Sequence, residues 1–239
     1  ACRSDTFLPE LGVAMIRRNG LNVAAKAGHN QEHHNHLDVG SLIVHRGRTF
    51  FLTDPGAPVY KAGTFGPHRY EGAYCNSFGH GVPAVGGRGQ SPGGEYSGDI
   101  CADGLGSDGP KRIVVEMAGA YQLPSLRKLT RRVELPAGAG EVLLTDTFEF
   151  DGEAPAVEEA FVTALPAEAV DGGRAVRIPS EADGVATLSA EGTEGRFDVV
   201  ELTAESAAES RDGSLLRRIA FRPAQTARRQ VLRFRIGLG

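Results

Sequence analysis

The 239-residue chain carries 32 Gly and 13 Pro, the two poorest helix formers, which excludes a helix bundle or coiled coil. Its 41% apolar and 23% charged content is that of a globular protein and excludes wholesale disorder. A net charge of -4, from 26 basic and 30 acidic residues, argues against a general nucleic-acid binder, and no run approaches the ~18 apolar residues that span a bilayer.

Strand-like runs begin at Gly12–Arg17 and Leu21–Lys26, joined by Asn19-Gly20, a strong signal for a two-residue hairpin turn. Val39–His45 and Thr49–Asp54 flank Gly47 in the same way. A Gly-rich loop is expected from Gly86 to Gly109. Strands resume at Arg112–Met117, Lys128–Leu135, Glu141–Phe150 and Val157–Leu165. The tail adds Arg174–Ile178, Val185–Ser189, Phe197–Thr203, Leu215–Phe221 and Gln230–Ile236. In 142–150 the residues Val142, Leu144, Asp146, Phe148 and Phe150 alternate with Leu143, Thr145, Thr147 and Glu149, so one face is wet. No segment holds helical periodicity over three turns. The pattern predicts an all-β fold, a large antiparallel β-sandwich occupying residues 1–239.

Composition shifts near residue 110. The earlier part holds all seven His; the later part is plainer and reads as scaffold strands over 110–239. From Glu181 to Asp212 there are nine acids and two Arg, whereas Leu215–Gly239 has seven Arg and no acid, the pattern of adjacent strands pairing opposite charges. The three cysteines, Cys2, Cys75 and Cys101, lack C-x-x-C spacing; one bridge is possible, with Cys75–Cys101 the natural pair. The opening Ala1-Cys2-Arg3-Ser4-Asp5 has neither an initiator Met nor a signal peptide, so the sequence reads as a piece of something longer.

The chemical centre is Gly28-His29-Asn30-Gln31-Glu32-His33-His34-Asn35-His36-Leu37-Asp38. On an extended backbone His34 and His36 would point to one side. Imidazole and carboxylate ligands suit zinc better than calcium or magnesium, which favour oxygen shells. Further ligands must come from elsewhere; Asp54, at the end of a strand, and His80 are the candidates. His29 and His33 read as bystanders. Glu32 and Asp38 either orient imidazoles or face water.

Two families bear on this cluster. Gly28-x5-His34-x-His36 matches the opening of the cupin motif, but Gly40 and Ser41 stand where a cupin needs Glu, and Val85 stands two residues after Pro83, where its second motif needs Gly. The fuller match is to the heparinase II/III-like polysaccharide lyases. The run Lys26–Ser41, then Phe51-Leu52-Thr53-Asp54-Pro55-Gly56, Arg69-Tyr70 and Ser77-Phe78-Gly79-His80, resembles that family's G-x-N-x-E-x-H-N-H-x-D-x-G-S, V-D-P-G, R-Y and S-x-x-H-N-T-V blocks in order. The motifs lie within residues 11–90. Gly81 stands where the family has Asn, and His29 and His33 are additions.

The resemblance implies a zinc-bearing β-sandwich that works beside an N-terminal α/α toroid, which the chain lacks. It implies zinc on His36, Asp54 and His80, His34 acting at a uronic acid, and Arg69, Tyr70 and Tyr60 touching the sugar. The expected activity is β-elimination on an acidic polysaccharide in the periplasm or outside the cell, with this chain alone inactive. The alternatives are a non-catalytic carbohydrate- or metal-binding module and, third, a cupin-like metalloenzyme. The absence of Trp leaves sugar stacking to Tyr and Phe.

Overall fold

The structure is a computed structural model that describes residues 4–138 and 140–239. Its first strands are β1 (Thr6–Leu8), β2 (Val13–Arg18), β3 (Leu21–Lys26), β4 (Gly28–Asn30), β5 (Leu42–Arg46), β6 (Thr49–Leu52), β7 (Ala84–Val85), β8 (Gly93–Asp103) and β9 (Lys111–Glu116). They are followed by β10 (Leu126–Leu135), β11 (Glu141–Phe150), β12 (Val157–Thr163), β13 (Glu168–Val170), β14 (Ala175–Ser180), β15 (Gly184–Ala190), β16 (Gly195–Glu201), β17 (Arg217–Pro223) and β18 (Arg229–Leu238). A two-turn helix, α1 (Thr203–Glu209), precedes β17.

Among the described residues these strands form three antiparallel sheets, and none closes into a barrel. The largest runs β13-β14-β15-β18-β11-β10-β9-β8-β4. Opposite it lie β1-β2-β3-β5-β6 and β16-β17-β12-β7, joined where Thr53 N donates to Val162 O (2.9 Å). The fold is an all-β sandwich, as the alternation predicts.

One apolar core takes side chains from all three sheets, including Ile16 and Val23, Leu129 and Phe148, and Phe161 and Phe221. Each such side chain removed from water contributes about 1.5–3 kcal/mol. The first hairpin forms as expected: Asn19 and Gly20 adopt φ of +48° and +80°, the two left-handed positions its turn requires.

Two expectations are corrected. The segment read as a loop from Gly86 to Gly109 contains the long strand β8, which pairs with β9 and β4. Its side chains are half-buried or exposed along its whole length, so it shows no apolar alternation to read. Cys75 and Cys101 do not pair: both thiols are free, Cys75 buried and Cys101 exposed on β8. Cys2 lies outside the described residues.

The acidic and basic tails do pair across neighbouring strands. Arg217 meets Glu201 (2.8 Å), Arg222 meets Asp198 and Glu158, and Arg235 meets Glu191 (2.7 Å).

Candidate metal centre and histidine loop

The site is built on two connections at one end of the sandwich. Residues 31–41 link β4 to β5, and residues 53–83 run from β6 to β7 with two 3-10 turns, Arg69–Glu71 and Ser77–Gly79. A connection of that length without strands is uncommon in a compact fold and is usually functional.

The first of these connections is not extended. Asn35 N donates back to Glu32 O (3.2 Å), and His34 takes φ of +59°, a left-handed conformation that costs a non-glycine residue about 1–3 kcal/mol. Consequently His34 and His36 do not share a face. His34 is exposed, whereas His36 is buried.

His36 turns inward to Asp54 and His80. Their ligand atoms lie within 4.8 Å of one another, and the two imidazole centroids are 5.1 Å apart. Asp54 follows the end of β6; its Oδ1 accepts from Gly56 N (2.9 Å), and its Oδ2 accepts from Ser41 Oγ (3.3 Å). His80, with no exposed surface, caps the second 3-10 turn.

The hydrogen bonds of His80 test whether this trio suits a cation. Nε2 faces Tyr74 O (3.2 Å), which can only accept, so Nε2 carries a proton and donates to it. Nδ1 faces Asp54 Oδ2 at 2.8 Å, also an acceptor. The pair therefore needs either a second proton on the ring or a cation at Nδ1. A backbone carbonyl holding the far nitrogen is the usual orientation of a metal-binding histidine. The three residues form a potential metal-binding triad.

Charge in the pocket follows from burial and neighbours. Burial, then the positive charge of His80, pushes His36 down to about 4, leaving it neutral and able to donate a lone pair. For His80, burial works against protonation, but the charge and hydrogen bond of Asp54 raise its pKa overall. Burial would raise Asp54, yet the charge and hydrogen bond of His80 hold it well below the usual carboxylate range.

On the outside, His34 Nδ1 lies 3.2 Å from Tyr60 Oη, and its ring meets Phe65 edge-on with centroids 4.8 Å apart. The Arg69 guanidinium sits 4.7 Å over Phe65 and 5.6 Å over Tyr70. Arg69 Nη2 donates to Asn35 O (2.5 Å), and Tyr70 Oη donates to Asn35 Oδ1 (3.0 Å). Arg69 Nη1 has no hydrogen-bond partner among the described residues. Arg211 lies 5.7 Å over the Tyr60 ring. An aromatic and cationic rim therefore surrounds His34.

The structure thus gathers the expected residues into two neighbouring groups: His36, Asp54 and His80 inside, and His34, Tyr60, Arg69 and Tyr70 outside. Asp38 acts on the His36 and His80 imidazoles through its charge, which favours their protonated forms, while its direct partner is a lysine shared with Glu32. Lys26 Nζ pairs with Asp38 (2.8 Å) and approaches Glu32 (3.8 Å), and Glu32 also accepts from His29 N (3.3 Å). His29 and His33 are exposed. Gly81, where the lyase pattern has Asn, still leaves His80 fully buried.

Sequence reasoning did not single out Phe65, Arg211, Gln90 or Arg131. Gln90 is buried and grips the histidine connection: Oε1 accepts from Val39 N (3.0 Å), and Nε2 donates to Val39 O (2.6 Å). Ser77 Oγ donates to Leu37 O (2.8 Å) beside it. Phe65, an aromatic residue isolated in a Gly-rich stretch, was a readable signal.

No family model and no curated protein matches the chain. Solved structures do. A heparan sulfate lyase, HepC from Pedobacter heparinus, superposes with a TM-score of 0.76 at 13% identity over 98% of this chain and 36% of that one. A heparinase III superposes with a TM-score of 0.71 at 13% identity, over 98% of this chain and 35% of the other. At this identity the likeness establishes a shared fold, and the chain spans about a third of the length of the structures it matches.

Proposed function

We propose that the chain is the β-sandwich part of a polysaccharide lyase that cleaves a uronic-acid-containing polysaccharide by β-elimination. The observation that carries the reading is the opposite orientation of two histidines two residues apart. One faces the buried imidazole of His80 and the half-buried carboxylate of Asp54, and the other a solvent-facing rim of aromatic and cationic groups. The shared fold with a heparan sulfate lyase and a heparinase III supports it.

β-Elimination removes the C5 proton of the uronic acid and expels the glycosidic oxygen at C4. The neighbouring carboxylate makes that proton weakly acidic, so the site must stabilise the extra charge of the enolate-like state. His34 would meet the carboxylate from its exposed position beside Tyr60. Arg69, its guanidinium stacked over Phe65 and Tyr70, supplies positive charge near the rim for an acidic sugar. Tyr60 and Tyr70 offer ring faces and hydroxyls to the sugar.

His36, Asp54 and His80 would hold zinc, which supplies a structural clamp fixing the His34 connection. We propose that a toroid domain completes the cleft in the full-length protein, and that this protein works in the periplasm or outside the cell.

The test is ultraviolet absorbance of the unsaturated product, using the complete protein with heparan sulfate, hyaluronan and alginate. At least one polymer should yield product. His34→Ala should abolish it while leaving bound zinc and Tm unchanged. His36→Ala should lower zinc content and Tm together. Absence of product with all polymers would favour a non-catalytic binding module, and equal zinc loss in both variants would sink the division of roles.

A further inference from the structure

Arg131 lies on β10 directly opposite Asp146 on β11, with no exposed surface. Its Nη2 donates to Asp146 Oδ2 (2.7 Å) and to Glu159 Oε1 on β12 (2.6 Å), and its Nε donates to Asp146 Oδ2 (3.1 Å). These bonds join the two layers of the sandwich and neutralise the guanidinium. They leave Nη1, which donates to Gly40 O (2.7 Å) and Gly81 O (2.6 Å).

Those two carbonyls belong to the segments that carry the candidate ligands. Gly81 directly follows His80. Gly40 directly precedes Ser41, whose hydroxyl donates to Asp54 (3.3 Å). Gly40 also ends the short stretch that begins at His36, already held at Leu37 and Val39 by Ser77 and Gln90. One nitrogen therefore reaches both connections at once from the rigid centre of the sheet. A guanidinium is suited to this, because its planar fork presents five donors in fixed directions, whereas an ammonium is a point charge with three.

From this geometry we infer that Arg131 is a positioning residue for the His36–Asp54–His80 triad, fixing the spacing of the ligand-bearing segments through Gly40 and Gly81. The inference rests on the metal reading of the triad proposed above. It assigns a second task to a core residue whose bonds to Asp146 and Glu159 alone would not require Nη1.

The test separates positioning from core stability. A buried ionic triad can be replaced by apolar residues of similar volume without loss of fold. In the full chain, Arg131→Met combined with Asp146→Leu and Glu159→Leu removes the charges and leaves Gly40 O and Gly81 O without their donor. Arg131→Lys is the second variant, retaining the charge but not the fork. Readouts are circular dichroism, Tm, Zn2+ affinity by competition with a chromophoric chelator, and amide hydrogen exchange.

Either variant that folds should bind Zn2+ at least roughly tenfold more weakly, the low end of the loss seen when a group supporting metal ligands is removed. Amides of residues 37–42 and 80–82 should exchange faster, while those of β11 keep their protection. Wild-type affinity and unchanged exchange in a folded variant would overturn the inference, as would loss of the fold in both, which would make Arg131 a core residue only. If the unsubstituted chain binds no Zn2+, the metal reading fails by itself. Exchange then decides alone, faster exchange in the two segments supporting the positioning role and unchanged exchange overturning it.

Discussion

At Glu159 the side chain is held in a form that water would not favour. Burial, then the charge of Asp146, raises its pKa well above the ordinary carboxylate value, against the opposing pull of Arg131. The folded chain thus keeps a proton that the unfolded chain releases above about pH 4.3. The stability tied to this group is present below the unfolded pKa and declines as pH rises toward the folded one. Glu159→Gln keeps the shape and has no proton to lose. Its Tm relative to the parent should climb as pH rises above about 4.3, measured by thermal melts over a pH series. A constant difference would mean that Glu159 titrates like an exposed acid. The residues of this core were partly legible. Alternation puts Arg131 between Leu129 and Val133, and Asp146 between Leu144 and Phe148, on inward faces. What sequence lacks is the partner: an inward charge reads as an irregularity until Glu159 arrives from the opposite layer. His36, Asp54 and His80 were easier, because ligand residue types recur within recognisable blocks. The outward turn of His34 was not legible, since it depends on a left-handed backbone that residue identity does not specify.

Among the elements, the 3-10 turn Ser77–Gly79 shows how tightly the site is cast. A Cβ on Gly79 would lie 2.1 Å from Ala73 O, a backbone atom that cannot rotate away. Gly79→Ala must therefore shift the turn that His80 caps. The expected cost is about 1–3 kcal/mol in urea unfolding, accompanied by weaker Zn2+ binding. Unchanged binding would show that the turn relaxes without moving His80. Elements with apolar alternation, such as β3 and β11, were readable to within a residue or two. β8 was not, because its neighbours β9 and β4 hold it through backbone pairing and its own side chains bury little. β5 begins at Leu42 instead of Val39, because Ser41 N closes a turn onto Asp38 O (2.9 Å).

For the molecule as a whole, position in the sandwich decides what a charge is worth. Arg229 and Glu149 pair on the surface, with 70% and 42% of their side chains exposed. Arg218 is 3% exposed and binds Glu158 (3.0 Å) and Phe78 O (2.8 Å), next to the candidate metal centre. Arg229→Ala should change unfolding free energy by under about 1 kcal/mol, whereas Arg218→Ala, which strips a buried donor from Phe78 O, should cost about 1–3 kcal/mol. Equal effects in denaturant titrations would contradict this division between rim and core. The overall architecture was legible because Gly and Pro content, strand spacing and alternation agree with one another. The order of strands within sheets was not, since β18 inserts between β15 and β11 through contacts far apart in sequence.

The core clamp on Gly40 and Gly81 has a consequence in time. His36, Asp54 and His80 all precede Arg131, which ties their segments together, and Asp146 and Glu159, which anchor Arg131. On a ribosome adding about 5–20 residues per second, roughly 80 residues separate the last ligand from the last clamp residue, a lag of about 4–16 s. Throughout that interval the nascent polypeptide offers two imidazoles and a carboxylate held only by local partners such as Ser77 and Gln90, without the tie between the two segments. On the metal reading proposed above, the contacts that fix the triad are complete only once translation has delivered β12 and the two layers have closed.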